Sequence, residues 1–276
     1  MTDFLQGFTL NNGEYRGLLV HLENSYQQAI EHHAYPKPMS IFLGEALAAI
    51  TLLSYNLKQE GKLALQIESS GPLKILIAEA NHLRGIRGLI QWRDDVPLTT
   101  TLIESGQCAI TLMPKNGQYH QGIVPISQQN IAASLETYFT QSEQITTRML
   151  LACDGTRAAG LLVQQLPSEV TSTPTLDQTT LNFIVDTVQA KELLTECNEQ
   201  LLHKLFHEYT TQIFEPEAVC FSCTCTHEKM MDAVKLLGKA DALDLIKTHK
   251  QVVVTCEFCA HHYGFDKNEV EAIFHE

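Results

Sequence analysis

Two close cysteine pairs near the C-terminal end, Cys223-Thr224-Cys225 and Cys256-Glu257-Phe258-Cys259, constrain this chain more than any other feature. Paired sulfurs separated by a helix-sized insert make a tetrahedral thiolate site, the arrangement in which proteins hold structural zinc. A C-x-x-C turn sets two sulfurs on one side of a tight knuckle, whereas C-x-C presents both to one ion only where the backbone bends around it. Structural sites mostly use two C-x-x-C knuckles, so the short pair suggests a metal held in a geometry from which oxidation can release it. Thiolates are also the oxidisable form of cysteine. A purely structural zinc that folds a small module without a core of its own and a redox-sensing zinc both fit this pattern. Cys220 precedes Cys223 by three positions and is a candidate auxiliary thiol, as a competing ligand or a disulfide partner. Cys108, Cys153 and Cys197 lie in apolar or helical surroundings and read as buried or incidental thiols.

At 276 residues the chain suits one large domain plus a small one. No basic stretch followed by an apolar run opens it, so no secretory signal is expected. The longest apolar stretch, Met39 to Leu57, contains Gly44 and Glu45 and reads as a buried helix rather than a membrane span. Eight cysteines without an export signal belong in a reducing compartment, which implies a cytoplasmic location. A net charge of -13 with no Lys/Arg cluster argues against a nucleic-acid partner.

The expected fold class is α+β, with an N-terminal, mainly antiparallel sheet domain over 1–167. Strands fit Tyr15 to Leu22, Leu63 to Ile67, Leu73 to Ala78, Gly85 to Trp92, Cys108 to Met113, Tyr119 to Val124, Thr146 to Ala152 and Gly160 to Gln165. Turn residues such as Ser69-Ser70-Gly71-Pro72 and Pro114-Lys115-Asn116-Gly117 join them as hairpins. Helices fit a segment capped by Ser25 and running to about His33, the apolar stretch from Met39, and Asn130 to Phe139. Residues 168–217 change character, with nine acidic residues against Lys191 and Lys204 alone. Leu181, Ile184, Val185 and Val188 nevertheless make one helical stripe, and Leu201, Leu202, Leu205 and Phe206 make a second after an Asn198 cap. Such helices with a self-repelling outer face require docking to be stable. They form an amphipathic helical linker, either a permanent connector or a switch. The final module, 218–276, carries the cysteine pairs, helices over His227 to Leu237 and Asp241 to His249, a strand over Gln251 to Thr255, and a capping-box start at Asp266 and Glu269.

No enzyme constellation is present. His207-Glu208 and His227-Glu228 lack a second histidine four positions on, and no P-loop, G-x-S-x-G or G-x-G-x-x-G occurs. With four thiolates available, His227, His261 and His262 are expected at the surface or behind the ligands. The cysteine spacing, followed by His262-Tyr263 and Phe265, together with His33-Ala34-Tyr35-Pro36-Lys37-Pro38, Gly71-Pro72-Leu73, Tyr119 to Val124, Tyr138 to Gln144 and Thr147-Arg148, resembles the redox-regulated heat-shock protein 33 family of bacterial chaperones. That resemblance, spanning nearly the whole chain, implies an ATP-independent holdase for unfolding client proteins and not an enzyme. It implies one Zn²⁺ per chain in the reduced form, held by Cys223, Cys225, Cys256 and Cys259. Oxidation would join Cys256 to Cys259 and Cys223 to Cys225, release zinc, unfold the module, undock the linker and accompany homodimer formation. Two readings from other classes are a catalytic thiol-disulfide oxidoreductase and a zinc-ribbon adaptor.

Overall fold

Alternating apolar positions and turn residues lay down strands whose side chains can be buried on two faces, and the chain uses both. The computed structural model describes residues 3–98, 101–126, 130–166 and 176–274. It divides into two compact units, Met1–Phe221 and Ser222–Glu276.

In the first unit the elements run β1 (Phe4–Leu10), β2 (Tyr15–Leu22), α1 (Asn24–Ile30), α2 (Lys37–Leu53), β3 (Gly61–Ser69), β4 (Leu73–Asn81), β5 (Gly85–Trp92), β6 (Gly106–Pro114), β7 (His120–Pro125), α3 (Ile131–Tyr138), β8 (Thr147–Cys153) and β9 (Ala158–Gln165). The helical segment α4 (Gln178–Asp186), α5 (Ala190–Thr195) and α6 (Asn198–Phe206) follows, then short strands β10 (Thr211–Ile213), β11 (Glu217–Ala218) and β12 (Cys220–Phe221). One sheet has the order β10-β1-β2-β9-β8, with β11 also on β1, and the other β12-β5-β4-β3-β6-β7. All pairings are antiparallel except β12 with β5. The expected α+β class with mainly antiparallel sheets is the fold observed.

Helix α2 is the hub. Met39, Leu43, Leu47 and Ile50 are completely buried in a core shared by both sheets, so the apolar length is spent on packing. The opposite face of the first sheet has its own core, where Phe8, Leu10, Tyr15, Leu19, Leu161 and Val163 meet Leu181, Val185, Leu193, Leu201, Leu202 and Phe206. Strand β9 is consequently buried on both faces. The docking surface of the two amphipathic stripes is therefore the outer face of this sheet. Gly17 permits it, because a Cβ there would lie 1.9 Å from the Phe8 ring. Further ties are the Tyr15 hydroxyl, which donates to the Leu176 carbonyl at 2.6 Å, and Arg148, which reaches from β8 to Glu136 of α3 and to Asp186 of α4.

Several local expectations are corrected. Ser25 does not cap α1: it lies inside the helix, and the Asp3 carboxylate accepts from the amides of Glu23, Asn24 and Ser25 instead. Asn198 does not cap α6: Cys197 occupies that position without a side-chain bond, while Asn198 is buried and donates to Gln6 at 2.6 Å. Strands β1 and β10 to β12 and helix α5 were not anticipated. The expected boundary at 167/168 lies outside the described residues.

The second unit contains α7 (His227–Leu237), α8 (Lys239–His249), the hairpin β13 (Val252–Thr255) and β14 (His262–Phe265), and α9 (Lys267–Ile273). Gly238, at φ 91°, makes the break between α7 and α8. Asp266 and Glu269 form the capping box of α9 as expected. The core is small: Val234, Ala242, Ile246, Val252, Phe265 and Val270.

Candidate metal centre

Each half of the site is set by a local backbone device. Cys256 directly follows β13, and its amide donates to the His261 carbonyl at 2.9 Å while its carbonyl accepts from the Ala260 amide at 2.8 Å. Ala260 takes a left-handed φ of 54° to close this knuckle. On the other side, Thr226 caps α7 by accepting from the Lys229 amide at 3.2 Å, and the Lys229 ammonium donates to the Thr224 carbonyl at 2.6 Å. Those two bonds bend the chain around Thr224, so both sulfurs of the C-x-C pair face the knuckle.

The four sulfurs of Cys223, Cys225, Cys256 and Cys259 all lie within 4.8 Å of one another. Cys223 Sγ is 3.6 Å from Cys256 Sγ, and Cys225 Sγ is 3.5 Å from Cys259 Sγ. A tetrahedral ion with metal–sulfur bonds of about 2.3 Å requires about 3.8 Å between sulfurs, so the four residues fit a metal ion. Cys256 is buried and the other three are half-buried.

Burial raises the Cys256 thiol despite the amides of Phe258 and Cys259 that point at its sulfur. Burial and the crowding of Cys223, Cys225 and Cys256 push Cys259 up to about 12 against the opposing His261 amide. Without a cation these thiols therefore keep their protons. A bound divalent cation supplies the opposite bias, since coordinated thiols are deprotonated.

The remaining sequence candidates are engaged elsewhere. Cys220 is exposed in β12 of the first unit, paired with Gly85 of β5, and is not among the four clustered sulfurs. His227 packs on Phe265 with ring centres 4.4 Å apart, and its Nε2 lies 3.4 Å from the Gly264 carbonyl and 3.5 Å from Glu269. His262 Nδ1 is 2.8 Å from the Thr255 hydroxyl. His261 packs edge-on against Tyr263 at 4.6 Å. One functional side chain was legible only as part of a motif: Tyr263 of β14 donates its hydroxyl to Cys225 Sγ at 3.1 Å. That bond pushes the phenol up to about 12. Its partner lies 38 positions away, and no spacing rule points to it.

The sequence pattern of the family described as Hsp33 protein matches residues 3–266. A 33 kDa chaperonin of Shewanella sediminis is 37% identical over 275 residues, covering 99% of this chain and 96% of that protein. A 33 kDa chaperonin of Shewanella baltica is likewise 37% identical, over 276 residues, with the same coverage. The crystal structure of a 33 kDa chaperonin from Thermotoga maritima superposes with a TM-score of 0.85 at 22% identity, over 99% of this chain and 98% of that one, a likeness of fold.

Proposed function

The chain belongs to the Hsp33 family of chaperones, and from that premise we propose that it is a redox-regulated, ATP-independent holdase, kept inactive while Zn²⁺ is bound by Cys223, Cys225, Cys256 and Cys259. The observation that carries the reading is the convergence of four sulfurs within 4.8 Å in a unit whose core, among the described residues, has six buried apolar side chains. A unit of this size with so small a core is marginal on apolar burial alone, and metal binding to such a module is folding energy, worth roughly 10 kcal/mol or more. Four thiolates in tetrahedral reach favour zinc over harder cations.

The same sulfurs are the point of oxidation. Each pair, Cys256 with Cys259 and Cys223 with Cys225, gives up two electrons to one hydroperoxide; the oxygen–oxygen bond breaks, and both oxygens leave as water or alcohol after taking up protons. A disulfide has no thiolate to offer a metal, so oxidation removes the ligands and with them the folding energy of the second unit, Ser222–Glu276. A C-x-C disulfide closes a strained ring and is readily reduced again when stress ends. Residues 168–217 then act as the metastable linker: undocking of α4 to α6 uncovers the apolar face of the first sheet, and that surface in residues 1–167, with the freed stripes, holds clients. Activation is accompanied by homodimer formation, and the protein acts in the cytoplasm. Neither nucleic acid nor membrane is a partner, and the cysteines do not turn over on a substrate.

Suppression of aggregation of thermally unfolding citrate synthase, compared between reduced zinc-loaded and peroxide-treated protein, tests the reading. Only the oxidised form should keep the solution clear. Equal suppression by both forms would remove the switch. Catalytic disulfide exchange would identify an oxidoreductase, and indifference of both forms to unfolded protein would leave the zinc-ribbon adaptor.

A further inference from the structure

The sulfur cluster receives a hydrogen bond from a side chain that is not a ligand. Tyr263 sits on β14 opposite Val254 of β13. Its ring is packed edge-on against His261, with centres 4.6 Å apart, and more loosely against His227 at 6.2 Å. The hairpin register and these two neighbours fix the ring, so the hydroxyl is aimed at Cys225 Sγ, 3.1 Å away, by the fold of the module. The amides pointing at Cys256 and Cys259 belong to the knuckle backbone itself. Tyr263 reaches across to the C-x-C pair, and its oxygen can be removed without touching the backbone.

We infer that Tyr263 is a positioning residue of the redox switch, whose hydroxyl engages a lone pair of Cys225 and slows the attack of that sulfur on an oxidant. The inference rests on the redox reading proposed above. In the step concerned, a sulfur lone pair attacks one peroxide oxygen, the oxygen–oxygen bond breaks, sulfur becomes a sulfenic acid and hydroxide leaves. The Cys223 thiolate then displaces hydroxide from that sulfur to form the disulfide. A donated hydrogen bond holds the electron pair on which the first attack depends. Outer partners of this kind tune metal-bound ligands generally. A hydrogen bond to an ionised group shifts an equilibrium by roughly one to two decades, and thiolate reactivity follows basicity with a slope of about 0.4–0.5, so its loss accelerates oxidation about three- to tenfold.

The test is Tyr263→Phe in the full-length, reduced, zinc-loaded protein, with zinc release by hydrogen peroxide followed by a chromogenic chelator. The expected result is a second-order rate constant about three- to tenfold above wild type, with zinc release to the chelator in the absence of peroxide unchanged. In the cobalt-substituted variant the sulfur-to-metal charge-transfer absorption moves to longer wavelength, which a merely structural tyrosine would not cause. Identical peroxide rates in the two proteins would overturn the inference, as would equal acceleration with and without peroxide, which marks a packing defect. A wild-type protein that keeps its zinc through peroxide would instead overturn the redox reading itself.

Discussion

Replacing Leu201 with serine tests the linker most sharply. Leu201 is fully buried, the first residue of the stripe that α6 lays on the first sheet with Leu202, Leu205 and Phe206. Burying each such side chain contributes about 1.5–3 kcal/mol, while ordering each residue of the helix costs about 1–2 kcal/mol. With four buried stripe residues in a nine-residue helix, stripe burial does no more than offset the ordering cost, and α6 has little stability in reserve. Emptying the Leu201 site removes about 3–5 kcal/mol, counting lost transfer energy, the cavity and the buried hydroxyl. We therefore expect Leu201→Ser to leave zinc in place and to raise hydrogen exchange of the α6 amides by two or more orders of magnitude. The reduced protein should then suppress citrate synthase aggregation without oxidant. Titration with a chelator after each experiment verifies that the metal was retained. If α6 amides stay protected and the variant is inactive until oxidised, residues 168–217 are a passive connector and client binding is controlled elsewhere.

Serine at any one of Cys223, Cys225, Cys256 or Cys259 should abolish stoichiometric zinc binding, measured by metal analysis of the reduced protein, whereas Cys220→Ser should keep one zinc per chain and give cleaner disulfide maps after strong oxidation. Burial pushes Glu45 of α2 up to about 7 from 4.5; between those values the folded state holds a proton that the unfolded state has lost, so stability falls as pH rises through that window. Glu45→Gln should remove up to about 3 kcal/mol of this fall, read from denaturant unfolding between pH 4.5 and 8, and an unchanged slope would refute the assignment. Asp3→Ala strips three amides at the start of α1 of their acceptor and should cost about 1–2 kcal/mol of thermal stability, with no effect on zinc content.

What the sequence discloses and what it withholds divides along the range of the interactions. Tyr15–Leu22 and Gly85–Trp92 emerge as strands with the bounds expected, and His227–Leu237 as a helix, because their periodicity is long and their ends carry turn or capping residues. Strands β10 to β12 are two or three residues long, too short for any period to register, and exist because β1 and β5 offer edges to pair with. The caps mislead for a related reason. Ser25 and Asn198 have the right chemistry locally, but Asp3, held by the start of β1, outcompetes the first, and Gln6 recruits the second. The sulfur cluster is legible because ligand spacing is itself local, a property of two turns. The Tyr263 contact depends on the hairpin that folds back onto the C-x-C pair, and the outer sheet face that receives the stripes depends on β1 and β9 lying side by side with β2.

The central claim, that one event at the four sulfurs governs both metal and clients, is tested most directly by recording zinc release and aggregation suppression in the same cuvette during peroxide treatment of the full-length protein. The account predicts that the two traces start together and that reduction with a thiol restores zinc binding and abolishes the suppression. Complete zinc loss with no gain in suppression, or full suppression while zinc is still bound to the wild-type protein, would contradict it.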